Sequence, residues 1–289
     1  MPTIEQNLKW WGKPAGWADG GERWSAPWGG TDVEWWATLY PRVRQFLPAA
    51  TILEIAPGFG RWAQFLKGFC DKFIAVDLSP ACIDNLKEQF AADSHVHCYV
   101  NDGRSLAMVD DRSIDFAFTF DSLPHVEADV IAAYLQELSK KLKPNGFAFI
   151  HHSNLEAYRK SLWLPKAIVP PEIAANSNGT ATPRGFWMRR SLKTTLTNWG
   201  VVVNNYNNRA ESVSARIFIE LCDVAGLECR SQELINWNFG PWLTDCLSVV
   251  TPRGKNSPKP PRLRRNPHFM DEAEHARRTA EFYSGIPRD

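Results

Sequence analysis

The chain has 289 residues, of which 44% are hydrophobic, and a formal net charge of +1 at pH 7. It therefore has enough apolar material to bury a sizeable core. The nearly neutral charge excludes a global electrostatic attraction to nucleic acid or to an anionic membrane, so any charge preference must be local.

The first residues, MPTIEQNLKWWGKP, lack the apolar segment of a signal peptide. No run approaches the roughly 18 apolar residues of a membrane span, so a cytoplasmic location is expected. Six cysteines are scattered without a C-x-x-C pair or histidines at zinc-like spacing, which predicts free thiols and no metal site of that kind.

Four regions differ in composition. Residues 1–50 hold seven of the thirteen tryptophans and are predicted to form a lid. Residues 51–254 are predicted to form an α/β domain with a parallel sheet, because β-like and amphipathic stretches alternate from about 51 to 154. Within it, residues 155–210 are rich in proline and asparagine and are predicted to be a substrate-recognition insertion. Residues 255–289 are predicted to be a basic, proline-rich linker followed by a short helix.

The predicted strands, in chain order, cover 51–56, 73–77, 95–100, 114–120, 146–151, 227–237 and 244–251. Apolar residues at i, i+3, i+4 and i+7 predict a helix after the first strand. A second helix is predicted to begin at Ser79-Pro80, because serine caps helices and proline suits their first turn. Further helices are predicted before the LKPNG segment and over 211–225, the latter ending at Gly226.

The LEIAPGFG segment links the first strand to its helix. Gly58 and Gly60 would let the backbone approach a ligand, and the helix beginning near Arg61 would favour an anionic group. Asp77 and Asp102 end the next two strands, where carboxylates can contact a nucleoside at the edge of a parallel sheet. The alternative is a purely structural role, in which the glycines form a tight turn and the two aspartates only cap turns.

Together these segments resemble the class I S-adenosylmethionine-dependent methyltransferases. The matching pieces are LEIAPGFG, VDLS, NDGRSL, IDFAFTFDSLPHV and LKPNGFAFIHHS. The resemblance implies a doubly wound α/β fold whose mostly parallel, seven-stranded sheet has an antiparallel last strand. It also implies that S-adenosylmethionine is the cofactor, with the GxG loop at its methionine end, Asp77 at its ribose and Asp102 at its adenine. The implied cofactor-binding residues are Glu54, Ala56, Gly58, Phe59, Gly60, Arg61, Asp77, Leu78, Asp102, Gly103 and Asp121.

One departure from the family pattern is that Ala56-Pro57 stands where a first glycine is common. A nicotinamide dehydrogenase is the other interpretation of such a turn, but it would require a third glycine near Ala63 and a second domain, which is not evident.

Candidate bases follow the fourth and fifth strands. Methyl transfer to oxygen needs alignment and removal of a proton. His152 is the favoured base, followed by His151, His125 and Asp121. Because neighbouring residues of a strand point to opposite faces, at most one of His151 and His152 can face a substrate. No metal is expected, although Asp121, His125 and His152 could instead converge on Mg²⁺.

The acceptor is expected to meet aromatic and basic side chains. Aromatic rings stack on sugars and flat molecules, and guanidinium groups bind carboxylates or phosphates. The candidate substrate residues are Trp24, Trp28, Trp187, Arg189, Arg190 and Tyr206. The sequence is also loosely similar to bacterial methyltransferases of glycan or secondary-metabolite assembly, which implies O-methylation of a hydroxyl on a sugar or another small molecule.

Two other functions remain open. The basic segment from Lys255 to Arg265 is compatible with an RNA or DNA methyltransferase, or with a non-catalytic protein that binds S-adenosylmethionine or a partner. It contains no aromatic residues, so nucleic acid is the less favoured partner. A homodimer is also compatible with the aromatic rings of the insertion.

Overall fold

The computed structural model describes residues 3–158, 209–237, 242–254 and 260–284. Most of the predicted insertion lies outside this part of the chain.

The core is one sheet of eight strands in the order β3-β2-β1-β4-β5-β7-β6-β8. Strands β1 to β5 pair with one another in parallel, whereas β7 is antiparallel to both β5 and β6. The prediction of a doubly wound, mostly parallel sheet with an antiparallel last core strand is confirmed. The strands are β1 (Ala49–Ile55), β2 (Cys70–Asp77), β3 (Val96–Val100), β4 (Ile114–Thr119), β5 (Leu142–Ser153), β6 (Leu227–Ile235), β7 (Asp245–Pro252) and β8 (Arg262–Asn266).

The eighth strand, β8, corrects the prediction of seven strands and of a plain basic linker. It pairs in parallel with β6, from Ser231 opposite Arg262 to Ile235 opposite Asn266. The Asn266 amide also donates to Glu233 Oε1 at 2.8 Å. Composition alone suggested a linker, but the open edge of β6 offers backbone hydrogen-bonding groups that this segment satisfies.

Capping residues mark where two of the longer helices begin or end. Ser79 caps its helix by accepting from the Cys82 amide, and Gly226 ends another in the left-handed conformation. Among the described helices, none combines the length and the apolar character that a membrane crossing needs. The helices are α1 (Ile4–Trp11), α2 (Thr31–Glu34), α3 (Tyr40–Val43), α4 (Ala63–Leu66), α5 (Pro80–Gln89), α6 (Ala128–Lys141), α7 (Ala215–Ala225) and α8 (Phe269–Ser284).

The two faces of the sheet bury different layers. On β1, Leu53 and Ile55 belong to the cluster that includes residues of α6 and α7, whereas Ile52 belongs to the cluster of the opposite face. This alternation follows from the two-residue period of a strand. The opposite cluster also takes in the 31–43 segment, α4, α5 and α8.

Part of the tryptophan-rich region belongs to the core rather than to a lid. Trp28 and Trp35 are fully buried. The Trp35 ring stacks on Phe65, with a centroid separation of 5.1 Å and an interplanar angle of 4°. The segment after α1 therefore completes one face of the sheet, while α1 itself lies over the carboxyl ends of the strands.

Candidate active site

A cavity of about 890 Å³ lies at the carboxyl ends of β1 to β4. Its floor comes from the loops that follow those strands, and its cover comes from residues 4–28. This volume is within the range of small-molecule sites. Ten of the predicted site residues line it: Trp24, Trp28, Ala56, Gly58, Arg61, Asp77, Leu78, Gly103, Asp121 and His125.

Asp77 is fixed at the end of β2 by backbone amides. Its Oδ2 accepts from the Gly58 amide at 3.0 Å and its Oδ1 from the Ser79 amide at 2.8 Å. Burial raises the pKa of this carboxyl to about 6, although the two amides oppose the shift. A carboxylate has about four acceptor positions, so Asp77 can still accept from hydroxyl groups in the cavity.

The bare backbone of the glycine loop also makes room for neighbouring side chains. Gly58 has φ +59, and a Cβ there would lie 2.2 Å from Cη2 of Trp17. Gly60 has φ +88, and its Cβ would meet Leu86 of α5 at 2.8 Å. The bare backbone thus admits a tryptophan of the cover on one side and α5 on the other. Ala56 takes φ 57 where a glycine would be unstrained.

Glu54 lies behind this loop in β1. It is 1% exposed, and among the described residues its Oε2 has no hydrogen-bond partner. Burial, with a further contribution from the Asp77 charge, raises its pKa well above the usual range. Burial therefore disfavours the charged form of this carboxyl.

Arg61 connects the loop to a buried polar cluster. Its Nη2 donates to Asp121 Oδ2 at 2.7 Å, and its Nη1 lies 3.9 Å from Glu34 Oε2. The guanidinium also lies over the Trp62 ring, 4.5 Å from the centroid. Burial raises the pKa of Glu34 to about 8, outweighing the attraction of Arg61. Arg61 is consequently the ion-pair partner of Asp121 rather than of Glu34.

His151 positions the loop after β4. Its Nδ1 accepts from the Asp121 amide at 3.0 Å, and its Nε2 lies 3.0 Å from Asp245 Oδ2. Burial opposes ionisation of Asp245, but Arg209 and His151 lower its pKa to about 2. With Nδ1 accepting from the amide, the ring proton is on Nε2 and faces Asp245. Asp121 has φ 56, and this contact holds that uncommon conformation. The predicted role of His151 as a base is replaced by a positioning role.

His152 is contradicted as the general base. It is fully buried on the opposite face of β5, where its ring stacks on Phe218 of α7 with centroids 4.0 Å apart. Its Nδ1 contacts the Ser153 carbonyl and its Nε2 contacts Ser248 Oγ, both at 2.8 Å. Burial lowers its pKa to about 3. The prediction that the side chains of His151 and His152 point to opposite faces of the sheet is confirmed. His152, which was expected to face the substrate, faces α7 instead.

His125 lines the cavity and lies near the cover. Its ring centroid is 5.4 Å from that of Trp11, and its backbone carbonyl accepts from the Asn7 side chain at 2.8 Å. Of the three predicted histidines, it is the one that borders the cavity.

One end of the cavity is walled by aromatic rings. Phe120 lies 5.6 Å from Trp62 and 5.7 Å from Trp237, and Trp237 lies 5.7 Å from Trp28, all between centroids. We call this the aromatic wall; its members are Trp28, Trp62, Phe120 and Trp237.

The remaining predicted residues lie elsewhere. Asp102 is exposed, and its Oδ1 accepts from the Arg104 and Ser105 amides, which lower its pKa. Asp102 thus caps a turn, which is the alternative structural role given in the sequence analysis. Glu54, Phe59 and Gly60 lie outside the cavity lining. The predicted Trp187, Arg189, Arg190 and Tyr206 lie outside the described residues.

Several lining residues were not predicted. Ile4, Asn7, Leu8 and Trp11 have i, i+3, i+4 and i+7 spacing, which marks one face of a helix and could have pointed to this contribution. Trp237 carries no such local signal. Within the described ranges, no three His, Cys, Asp or Glu residues are grouped so as to hold a metal ion. The Mg²⁺ alternative also loses His152, which lies on the other face of β5.

Residues 52–146 match a family model described as a methyltransferase domain. The matched segment runs from β1 into β5 and covers about a third of the chain. The recognition made from the motifs is thereby confirmed, and S-adenosylmethionine is the methyl donor of this class.

Solved structures are similar to this chain. The DhpI–SAH complex aligns with a TM-score of 0.52 and 17% identity, covering 88% of this chain and 98% of that one. A protein from Pyrococcus horikoshii aligns at 0.49 and 19% identity, covering 75% and 88%. A TehB-like methyltransferase from Corynebacterium glutamicum aligns at 0.48 and 15% identity, covering 83% and 100%. None of the curated proteins compared with the chain matches it.

Proposed function

We propose that the chain is an S-adenosylmethionine-dependent methyltransferase that methylates a hydroxyl group of a sugar or another small molecule. The observation that carries the proposal is the cavity. It combines a nucleoside-type end at Asp77 and Gly103 with an aromatic wall, beneath one cover.

The donor end fits S-adenosylmethionine in its chemistry. Asp77 faces the cavity with acceptor capacity for ribose hydroxyls. Leu78 and the Gly103 backbone flank a slot suited to the adenine. When bound, S-adenosylmethionine supplies a methyl group activated by the sulfonium that carries it.

The aromatic wall supports a small cyclic acceptor. Indole faces bind the apolar faces of sugars and flat rings, and they exclude water from the reacting groups. Arg61 and Asp121 add one donor and one acceptor at the boundary between the two ends. Their ion pair leaves little net charge, which favours an uncharged hydroxyl-bearing acceptor.

His125 is the proposed general base for that hydroxyl. It lines the cavity, whereas His151 holds a loop and His152 faces α7. Asp121 already accepts from Arg61 at 2.7 Å, so its carboxylate is engaged in an ion pair. His125 would take the hydroxyl proton as the new carbon–oxygen bond forms.

Isothermal titration with S-adenosylhomocysteine tests the proposal. Asp77→Ala removes the carboxylate at the ribose position and should weaken binding roughly tenfold to hundredfold, because hydrogen bonds to a charged group are lost. Asp84→Ala is the matched control, since Asp84 is exposed on the neighbouring helix α5. Absence of binding by the unmodified protein, or unchanged binding by Asp77→Ala, would refute this donor site.

A further inference from the structure

Helix α1 closes the donor end of the cavity. Thr3 and Gln6 form a reciprocal cap at its N-terminus, which fixes where the helix begins. Its Ile4, Asn7, Leu8 and Trp11 all line the cavity.

Ile4 reaches the loop after β3. A Cβ built on Gly103 would lie 3.2 Å from Cγ2 of Ile4 and 3.4 Å from Cδ1 of Leu78. The glycine has φ +81 and leaves just enough room for these two side chains to converge. The first turn of α1 is thus part of the slot where the proposed function places the adenine.

Asn7 lies one turn further along and is fixed in orientation. It is 8% exposed, and its Nδ2 donates to the His125 carbonyl at 2.8 Å. That bond determines which end of the amide is the acceptor. Among the residues that the structure describes, the buried Oδ1 has no hydrogen-bond partner. A buried acceptor left unpaired is costly, so its retention beside a cavity calls for an explanation.

We propose that Asn7 is a ligand-binding residue of the donor site, with its Oδ1 accepting an N–H hydrogen bond from S-adenosylmethionine. This inference rests on the proposed function. The ligand has two kinds of N–H donor, the adenine amino group and the methionine ammonium. Either donor would pair the Oδ1, while the Nδ2 keeps its bond to the core. Helix α1 then contributes to donor affinity instead of only covering the site.

The test compares the affinity of Asn7→Ala and the unmodified protein for two ligands by isothermal titration. S-adenosylhomocysteine carries both donor groups, whereas 5′-methylthioadenosine lacks the amino acid. We expect Asn7→Ala to weaken S-adenosylhomocysteine binding about tenfold. Equal weakening for both ligands identifies the adenine amino group, and weakening for S-adenosylhomocysteine alone identifies the ammonium. Lys9→Ala, exposed on the same helix, is the control and should bind normally.

Hydrogen exchange separates ligand binding from docking of the helix. Asn7→Asp keeps oxygen acceptors but loses the Nδ2 donor. Recovery of affinity relative to Asn7→Ala, with α1 still protected from exchange, supports the proposal. Loss of affinity in both variants together with loss of α1 protection would mean that Asn7 only anchors the helix, which overturns it. Unchanged affinity of Asn7→Ala would overturn it while leaving the donor site intact, and absence of binding by the unmodified protein would end both proposals.

Discussion

Replacing Glu34 by glutamine should make the protein's stability less dependent on pH. Glu34 is fully buried, and burial raises its pKa to about 8 from an ordinary value of 4.5. The folded state therefore keeps this carboxyl protonated while the unfolded chain releases the proton. Stability contributed in this way is fully present below pH 4.5 and is lost as the pH rises toward 8.

The size of the effect follows from the two pKa values. Each pH unit between them changes the free energy of unfolding by about 1.4 kcal/mol for one proton. At pH 7, the wild-type protein has lost roughly 3 kcal/mol relative to pH 4.5 through this group. Glutamine has nearly the same shape and does not ionise. The free energy of unfolding of Glu34→Gln should therefore rise, relative to that of the wild type, by about 1.4 kcal/mol for each pH unit between pH 5 and 8.

Urea unfolding at pH 5, 6, 7 and 8, followed by tryptophan fluorescence, measures this difference. The same contributions from other buried carboxyls, such as Asp77, are present in both proteins and cancel. Glu220→Gln, exposed on α7, should run parallel to the wild type. A constant difference between Glu34→Gln and wild type across this range would refute the reasoning, because it would mean that Arg61 keeps Glu34 ionised in the folded state.

Two further predictions concern catalysis and the C-terminal segment. His125→Gln should lower kcat about 10²-fold or more, because glutamine cannot accept the proton. The affinity for S-adenosylhomocysteine should stay within a factor of a few. Unchanged kcat in a methyl-transfer assay would exclude His125 as the base. A chain ending at residue 254 loses β8 and the buried Phe269 and Met270 of α8, each worth about 2 kcal/mol of burial. It should melt at a markedly lower temperature in a calorimeter and lose donor affinity, since Met270 lines the cavity; an unchanged melting temperature would show that the segment is a dispensable appendage.

The sequence by itself determined the parts of the fold whose signal is local. Seven strands were predicted within a few residues of their observed bounds, because their β-branched and aromatic runs are continuous. Ser79 and Gly226 marked a helix start and a helix end, because capping depends on one residue and its neighbours. The position of Asp77 at the end of β2 was also predicted, because the end of an apolar run marks the end of a strand.

Tertiary structure decided the features that depend on packing between distant elements of the chain. The two-residue period fixed that His151 and His152 point apart, but only the position of α7 decided which of them is covered by Phe218. Position 60 needs a glycine because a Cβ there would clash with Leu86, twenty-six residues away in the chain. The segment of β8 became a strand because β6 had an open edge, and Asn7 reached the cavity because α1 folds back over distant loops. Such contacts join residues far apart in sequence, and no short segment carries the information that specifies them.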